Sequence, residues 1–251
     1  MSNTEIIYVY DGSFDGILSA VHTAYYSREN PKQIMCENEC QSELFCRVTS
    51  IETDIDKAGV VREAVLKKIS PNALFNIYRV HLSNDINRAT MIFNYLKIGF
   101  NMGARVDLFL SNKWVSDVKK TALRVSHEAQ RMREFVRFSQ MENGVMFSQI
   151  EPDNNVLELI CPYFADRLYG IPWVICDQKR FIAAIYDGKN WVIRPFDVKK
   201  ITDSVTDEKQ YQKLWKTFYD TIAIEGRIDE RRRMACMPKK YWKNLTEFKT
   251  G

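Results

Sequence analysis

Six charged residues in the second half of the chain, Glu151, Asp153, Asp166, Arg167, Asp177 and Arg180, are the side chains best suited to chemistry. Carboxylates gathered at the ends of strands and helices can move protons or hold a magnesium ion, and an arginine beside them can receive a phosphate. Each also has a structural role open to it, as a helix cap, a turn residue or an ion-pair partner, and Asp153 and Asp177 fit such roles well. Asp166 and Arg167, in the string FADR, close a helix that otherwise buries aromatic residues. Of the three histidines, His22 and His81 fall inside helices where they pack or face solvent, whereas His127 is suited to proton transfer near neutral pH. The catalytic candidates are thus Asp166, Arg167, Glu151 and His127. No nucleophile motif, metal-ligand set or phosphate loop accompanies them, which favours a binding protein over a stand-alone enzyme.

A second set is cationic. The last residues, 227–251, read RIDERRRMACMPKKYWKNLTEFKTG, so that Arg231, Arg232, Arg233, Lys239, Lys240 and Lys243 are interleaved with Tyr241 and Trp242. Cations neutralise phosphates while an aromatic plane stacks on an unpaired base, so this mixture suits a nucleic acid. The alternative is a solvated helix end with Tyr241 and Trp242 tucked into the core. Arg131 and Arg137, near the end of a long helix and in the strand it feeds, could place two further cations at a sheet edge.

The elements that must position these groups follow from turn signals. Apolar alternation over 135–140 and 145–150, separated by Glu-Asn-Gly, predicts a β-hairpin. Three further strands, 173–176, 181–186 and 191–195, are separated by Asp-Gln-Lys-Arg and Asp-Gly-Lys-Asn and predict an antiparallel meander. Between hairpin and meander, apolar spacing predicts a helix over 154–168. Upstream, EIIYVY at 5–10 reads as a buried strand, Ser13 as the N-cap of a helix to residue 26, and 44–51 as a second strand. Helices are predicted over 54–68, 71–82, 85–102 and 113–134, and another, amphipathic, over 207–224. The string YDGSFDG at the first strand–helix junction could offer backbone N–H groups to an anion, although it matches neither a dinucleotide fingerprint nor a Walker pattern. The fold class expected is α+β, a mostly antiparallel sheet of hairpin plus meander packed with several helices, in one compact domain over 1–251.

Composition narrows the class further. With 45% hydrophobic and 27% charged residues and a formal net charge of +4, the 251-residue chain is neither disordered nor fibrous. It holds no apolar run long enough to span a membrane and no leader-like N-terminus, so a cytoplasmic protein is expected. Its six cysteines are expected to be reduced. Cys36, Cys40 and Cys46 have no histidine beside them and match no usual zinc or iron–sulfur spacing, so no metal or cofactor is expected.

Several strings taken in order, YVYDGSFDG, REFVRF, IEPDNNVLELICPYFADR, PWVICD, YDG and MPKKYWKNLTEF, resemble a bacterial family of proteins assigned to DNA metabolism, over essentially the whole chain. Members of that family tend to be encoded beside a radical SAM (radical S-adenosylmethionine) protein proposed to repair or modify DNA, and related domains are joined to uracil-DNA-glycosylase-like domains. The resemblance implies a role in DNA repair or modification with such a partner, and no particular reaction. The chain departs from the family pattern at Gln130, where a histidine is frequent, with His127 standing one helical turn earlier. Three functions remain open at this level: a DNA-binding accessory to such a partner, a DNA-acting hydrolase or lyase built on the acidic and arginine cluster, and a protein–protein adaptor.

Overall fold

A computed structural model of the chain describes residues 5–39, 46–141, 144–196 and 238–244. Its contacts group into two compact units, Met1–Ser126 and His127–Gly251. The described residues form six α-helices and two sheets, one parallel and one mixed, so the fold is α+β. No helix among them is long and apolar enough to cross a membrane.

In the first unit, β1 (Glu5–Tyr10), β2 (Gln33–Cys36) and β3 (Cys46–Ser50) make a parallel sheet in the order β2-β1-β3. The central strand is buried on both faces at Ile7, Tyr8, Val9 and Tyr10, which is why it reads as an unbroken apolar run. Four helices follow in this unit, α1 (Phe14–Tyr26), α2 (Ile55–Lys68), α3 (Pro71–His81) and α4 (Arg88–Met102). Their starts are set by side chains that satisfy otherwise orphaned amides: Ser13 accepts from the Gly16 N–H, Asp54 from those of Asp56 and Lys57, and Ser70 from that of Ala73, with Pro71 at the first helical position. Ile17, Leu18, Val65, Ile77, Ile92 and Leu96 are fully or almost fully buried and join one core with Val115 and Val118 of α5 (Lys113–Phe135).

The second unit carries a five-stranded sheet in the order β4-β5-β6-β7-β8. It comprises β4 (Ser139–Gln140), β5 (Met146–Ile150), β6 (Trp173–Asp177), β7 (Ile182–Tyr186) and β8 (Trp191–Pro195), with α6 (Leu157–Arg167) between β5 and β6. The predicted meander β6-β7-β8 is present, antiparallel throughout. Trp173 lies opposite Tyr186 in register and their rings stack at 5.2 Å.

Four expectations change. The hairpin is reduced to two cross-strand pairs, Ser139 with Phe147 and Gln140 with Met146. Phe135 ends α5 instead of starting a strand, because the Val136 N–H still donates to the Met132 carbonyl at 3.0 Å and both Phe135 and Val136 are buried from the helix side. Arg137 consequently lies in the connection after α5 and not within a strand. β5 pairs with β6 in parallel, Met146 opposite Trp173 through Ile150 opposite Asp177, which makes this sheet mixed. Strand β2 and the parallel order of the first sheet are additions. The helix expected over 207–224 and the tail through residue 237 lie outside the described residues.

Candidate nucleic-acid interface

The end of α5, the segment that follows it and the last turns of α6 enclose a groove of ≈ 500 Å³ within the second unit. Arg133, Arg137 and Arg167 line it, together with Tyr163 and Phe138, and Glu134 is its acidic residue. Arg133 near the end of α5 and Arg137 in the connection after it reach the groove together, while Tyr163 and Arg167, four residues apart on α6, project to one side. The Tyr163 ring has the Arg133 guanidinium 5.7 Å from its centroid and that of Arg167 at 5.9 Å. Arg167 Nη1 also donates to the Tyr163 hydroxyl at 2.8 Å.

Carbonyl oxygens orient the other two guanidinium groups. Arg133 Nη2 donates to the Leu159 carbonyl at 2.8 Å and Arg137 Nη1 to the Glu134 carbonyl at 2.6 Å. Neither Arg133 nor Arg167 forms an ion pair with a carboxylate of the described residues. Their positive charge is therefore held in place by neutral partners and is not cancelled, which is what a site for phosphate groups needs. Beneath the groove, Phe138, Phe164 and Trp173 pack edge to face or tilted, with centroids 5.4 to 6.5 Å apart, and give it a rigid floor.

The other predicted site residues are distributed differently. Arg131 is half-buried near the Tyr241 phenol and does not line the groove. Asp166 and His127 are exposed, while Glu151 is half-buried and lines a small cavity of ≈ 10 Å³ beside Tyr241. Asp153 pairs with Lys179 at 2.8 Å and with Lys240. Burial alone would raise its pKa, but hydrogen bonds from Lys179 and Lys240 outweigh that and hold the carboxyl below the ordinary range. Asp177 is buried and pairs with Arg180 at 2.8 Å, while its other oxygen accepts from the Lys179 and Arg180 amides to close the β6–β7 turn. These carboxylates serve ion pairs and turns and do not gather. Among the described residues no group of three or more His, Cys, Asp or Glu is arranged to hold a metal ion.

Of the tail, residues 238–244 are described, with a 3-10 turn over Lys239–Asn244. Tyr241 is 3% exposed, its ring 5.9 Å from that of Phe135 and its hydroxyl donating to the Glu128 carboxylate. Burial, then the Glu128 hydrogen bond and charge, raise its pKa. Such a ring is not available to stack on a base, which corrects the reading of Tyr241 as a stacking residue. Lys240 is spent on Asp153, and Trp242 is half-buried with a partner of its own. Lys239 and Lys243 belong to the same turn, and Arg231, Arg232 and Arg233 lie outside the described residues.

Neither Arg133 nor Glu128 is among the site residues that the sequence singles out. Arg133 meets Arg137 and Arg167 only at the groove, where the end of α5, the connection after it and α6 come together.

An α+β protein with a basic, aromatic groove is the class that this geometry defines. The chain belongs to the family described as "Domain of unknown function (DUF4130)", whose model matches residues 86–247. Comparison with curated proteins gives no match.

Proposed function

We propose that the protein binds DNA through the groove of Arg133, Arg137, Arg167 and Tyr163, as an accessory to a DNA repair or modification system. The observation that carries this reading is the convergence of two guanidinium groups, Arg133 and Arg167, on one tyrosine ring, neither with a carboxylate partner among the described residues, in a groove of ≈ 500 Å³ that Arg137 also lines. Guanidinium forks match phosphate oxygens, and a flanked aromatic plane accepts a base or sugar. The family resemblance supports DNA as the polymer and a radical SAM protein in the cytoplasm as the partner. An accessory role is preferred to catalysis because Asp153 and Asp177 are committed to lysine and arginine partners and Asp166 is exposed on the surface.

Three phosphate contacts give a log–log salt slope of about −2 on single strands and about −3 on duplex. Fluorescence anisotropy with labelled oligonucleotides across a salt series measures it. Replacing Arg133, Arg137 and Arg167 together by alanine should weaken binding and bring the slope towards zero. Binding with an unaltered slope in that triple variant would remove the groove from the DNA site.

A further inference from the structure

At the carboxyl ends of β1 and β2 in the first unit, four polar side chains from four separate elements meet around one guanidinium. Tyr10 and Cys36 are cross-strand partners at those ends, a 3-10 turn brings Glu39, α3 ends at His81, and α4 begins with Arg88. Arg88 has a side chain only 12% exposed, and its Nη1 donates to Glu39 Oε1 at 2.8 Å. Its charge acts on both the Tyr10 phenol and the His81 imidazole.

Three atoms of this cluster, the Tyr10 hydroxyl beside Arg88, Glu39 Oε2 and His81 Nδ1, are buried and make no hydrogen bond of ordinary geometry among the described residues. Tyr10 as a whole is 2% exposed. Folding ordinarily leaves very few such atoms, and three around one arginine are not explained by packing. Burial first, and then Cys36 and Glu39, push the Tyr10 phenol up to about 12 against the opposing pull of Arg88. Burial and then Arg88 hold His81 down to about 4, against Asp15 and Asp11, so the imidazole is neutral at pH 7. Beside it, Phe14 and Tyr78 form an aromatic group with His81, with ring centroids 5.1 to 6.1 Å apart.

These groups state what a ligand must offer. Glu39 Oε2 can only accept, so the ligand presents an N–H or O–H; Arg88 can only donate, so it presents an oxygen or nitrogen acceptor next to that donor. Glu39 with Asp11 and Asp15 disfavours an anion, Arg88 disfavours a cation, and the aromatic group favours a flat ring. We infer that this edge of the parallel sheet is a binding site for an uncharged planar heterocycle with a lactam edge, a ring carbonyl next to a ring N–H. Free nucleosides and bases within a DNA strand share that chemistry. The inference does not depend on the groove of the second unit.

Inosine carries the lactam edge and 1-methylinosine lacks its N–H, so the two nucleosides test it directly by isothermal titration calorimetry on the full chain. Inosine should bind, with a tenfold or greater loss on N1 methylation and in Tyr10→Phe, a substitution that removes one oxygen and keeps the ring. Because that oxygen makes no hydrogen bond of ordinary geometry among the described residues, Tyr10→Phe should melt no lower than wild type, and Glu39→Gln provides a second variant should Tyr10→Phe fail to fold. A single-stranded oligonucleotide with one deoxyinosine in an adenine tract separates the sources. Tyr10-dependent discrimination against all-adenine DNA by the strand but not the nucleoside identifies a base in DNA, and the reverse identifies a free nucleoside. Absence of binding by both, or affinities indifferent to N1 methylation and to both Tyr10→Phe and Glu39→Gln, would overturn the site.

Discussion

The Tyr241 hydroxyl donates to the carboxylate of Glu128, 113 residues earlier in the chain. Glu128, on α5 and only 5% exposed, also accepts from the Asp153 N–H at 2.8 Å, the Asn154 N–H at 2.8 Å and Asn154 Nδ2 at 2.6 Å. One buried carboxylate thus ties the turn before α6 and the described piece of the C-terminal segment to the same helix. Hydrogen bonds to a charged acceptor contribute about 1.5 to 3 kcal/mol each, and losing the acceptor strands every donor. Glu128→Ala should therefore cost about 3 kcal/mol or more in urea unfolding, and Tyr241→Phe about 2 kcal/mol. A Tyr241→Phe midpoint equal to that of wild type would show that the turn is not held there.

Two glycines inside helices should respond to alanine in opposite ways. At Gly16 in α1 a Cβ would stand 2.4 Å from Asp11 Oδ1 and 2.8 Å from Thr53 Oγ1, whereas at Gly59 in α2 nothing lies within 4 Å. Alanine in a helix is ordinarily favoured over glycine by about 0.5 to 1 kcal/mol, and Gly59→Ala should gain that amount. Gly16→Ala should instead lose about 1 to 3 kcal/mol through the forced shift of Asp11. Thermal melts of the two variants check the difference in sign.

His81 gives stability an acid limit. Its pKa is held near 4 in the folded chain against an ordinary value of 6.5, by burial first and then by Arg88, with Asp15 and Asp11 opposing. A depressed folded value means that the unfolded chain binds the proton more readily, so the contribution is complete above about pH 6.5 and is lost as pH falls towards 4. Its upper bound is about 3 kcal/mol. Denaturant midpoints measured from pH 7 to 4 should fall for wild type and fall less for His81→Gln; parallel curves would refute the assignment.

In the groove, charge and aromatic surface are separable. Tyr163→Ala leaves Arg133, Arg137 and Arg167 in place, so the salt slope should stay near its wild-type value while affinity for single strands drops by about 1 to 3 kcal/mol. Duplex binding should change little. An equal loss on single strands and duplex, measured by anisotropy at fixed salt, would assign Tyr163 to positioning the arginines.

What the sequence by itself determined was local. Six helices and the β6-β7-β8 meander are legible because their signals lie within a few residues: Ser13, Asp54 and Ser70 reach amides two or three positions on, and the turns at 177–181 and 187–190 join strands that are chain neighbours. Tertiary structure decided the parallel pairings of β1 with β2 and β3 and of β5 with β6, since partners separated by a helix or a long connection carry no short-range mark of their register. It also decided the state of FVRF at 135–138, where apolar residues fit a strand's alternation and a helix's buried face equally, and burial of Phe135 and Val136 extended α5. The fate of each charge followed from the same long-range packing. Lys240 and Tyr241 read as part of a cationic, aromatic tail, yet they are held by Asp153 and Glu128, residues 87 and 113 positions away, while Arg133, Arg137 and Arg167 converge from α5, the connection after it and α6, which no local pattern joins.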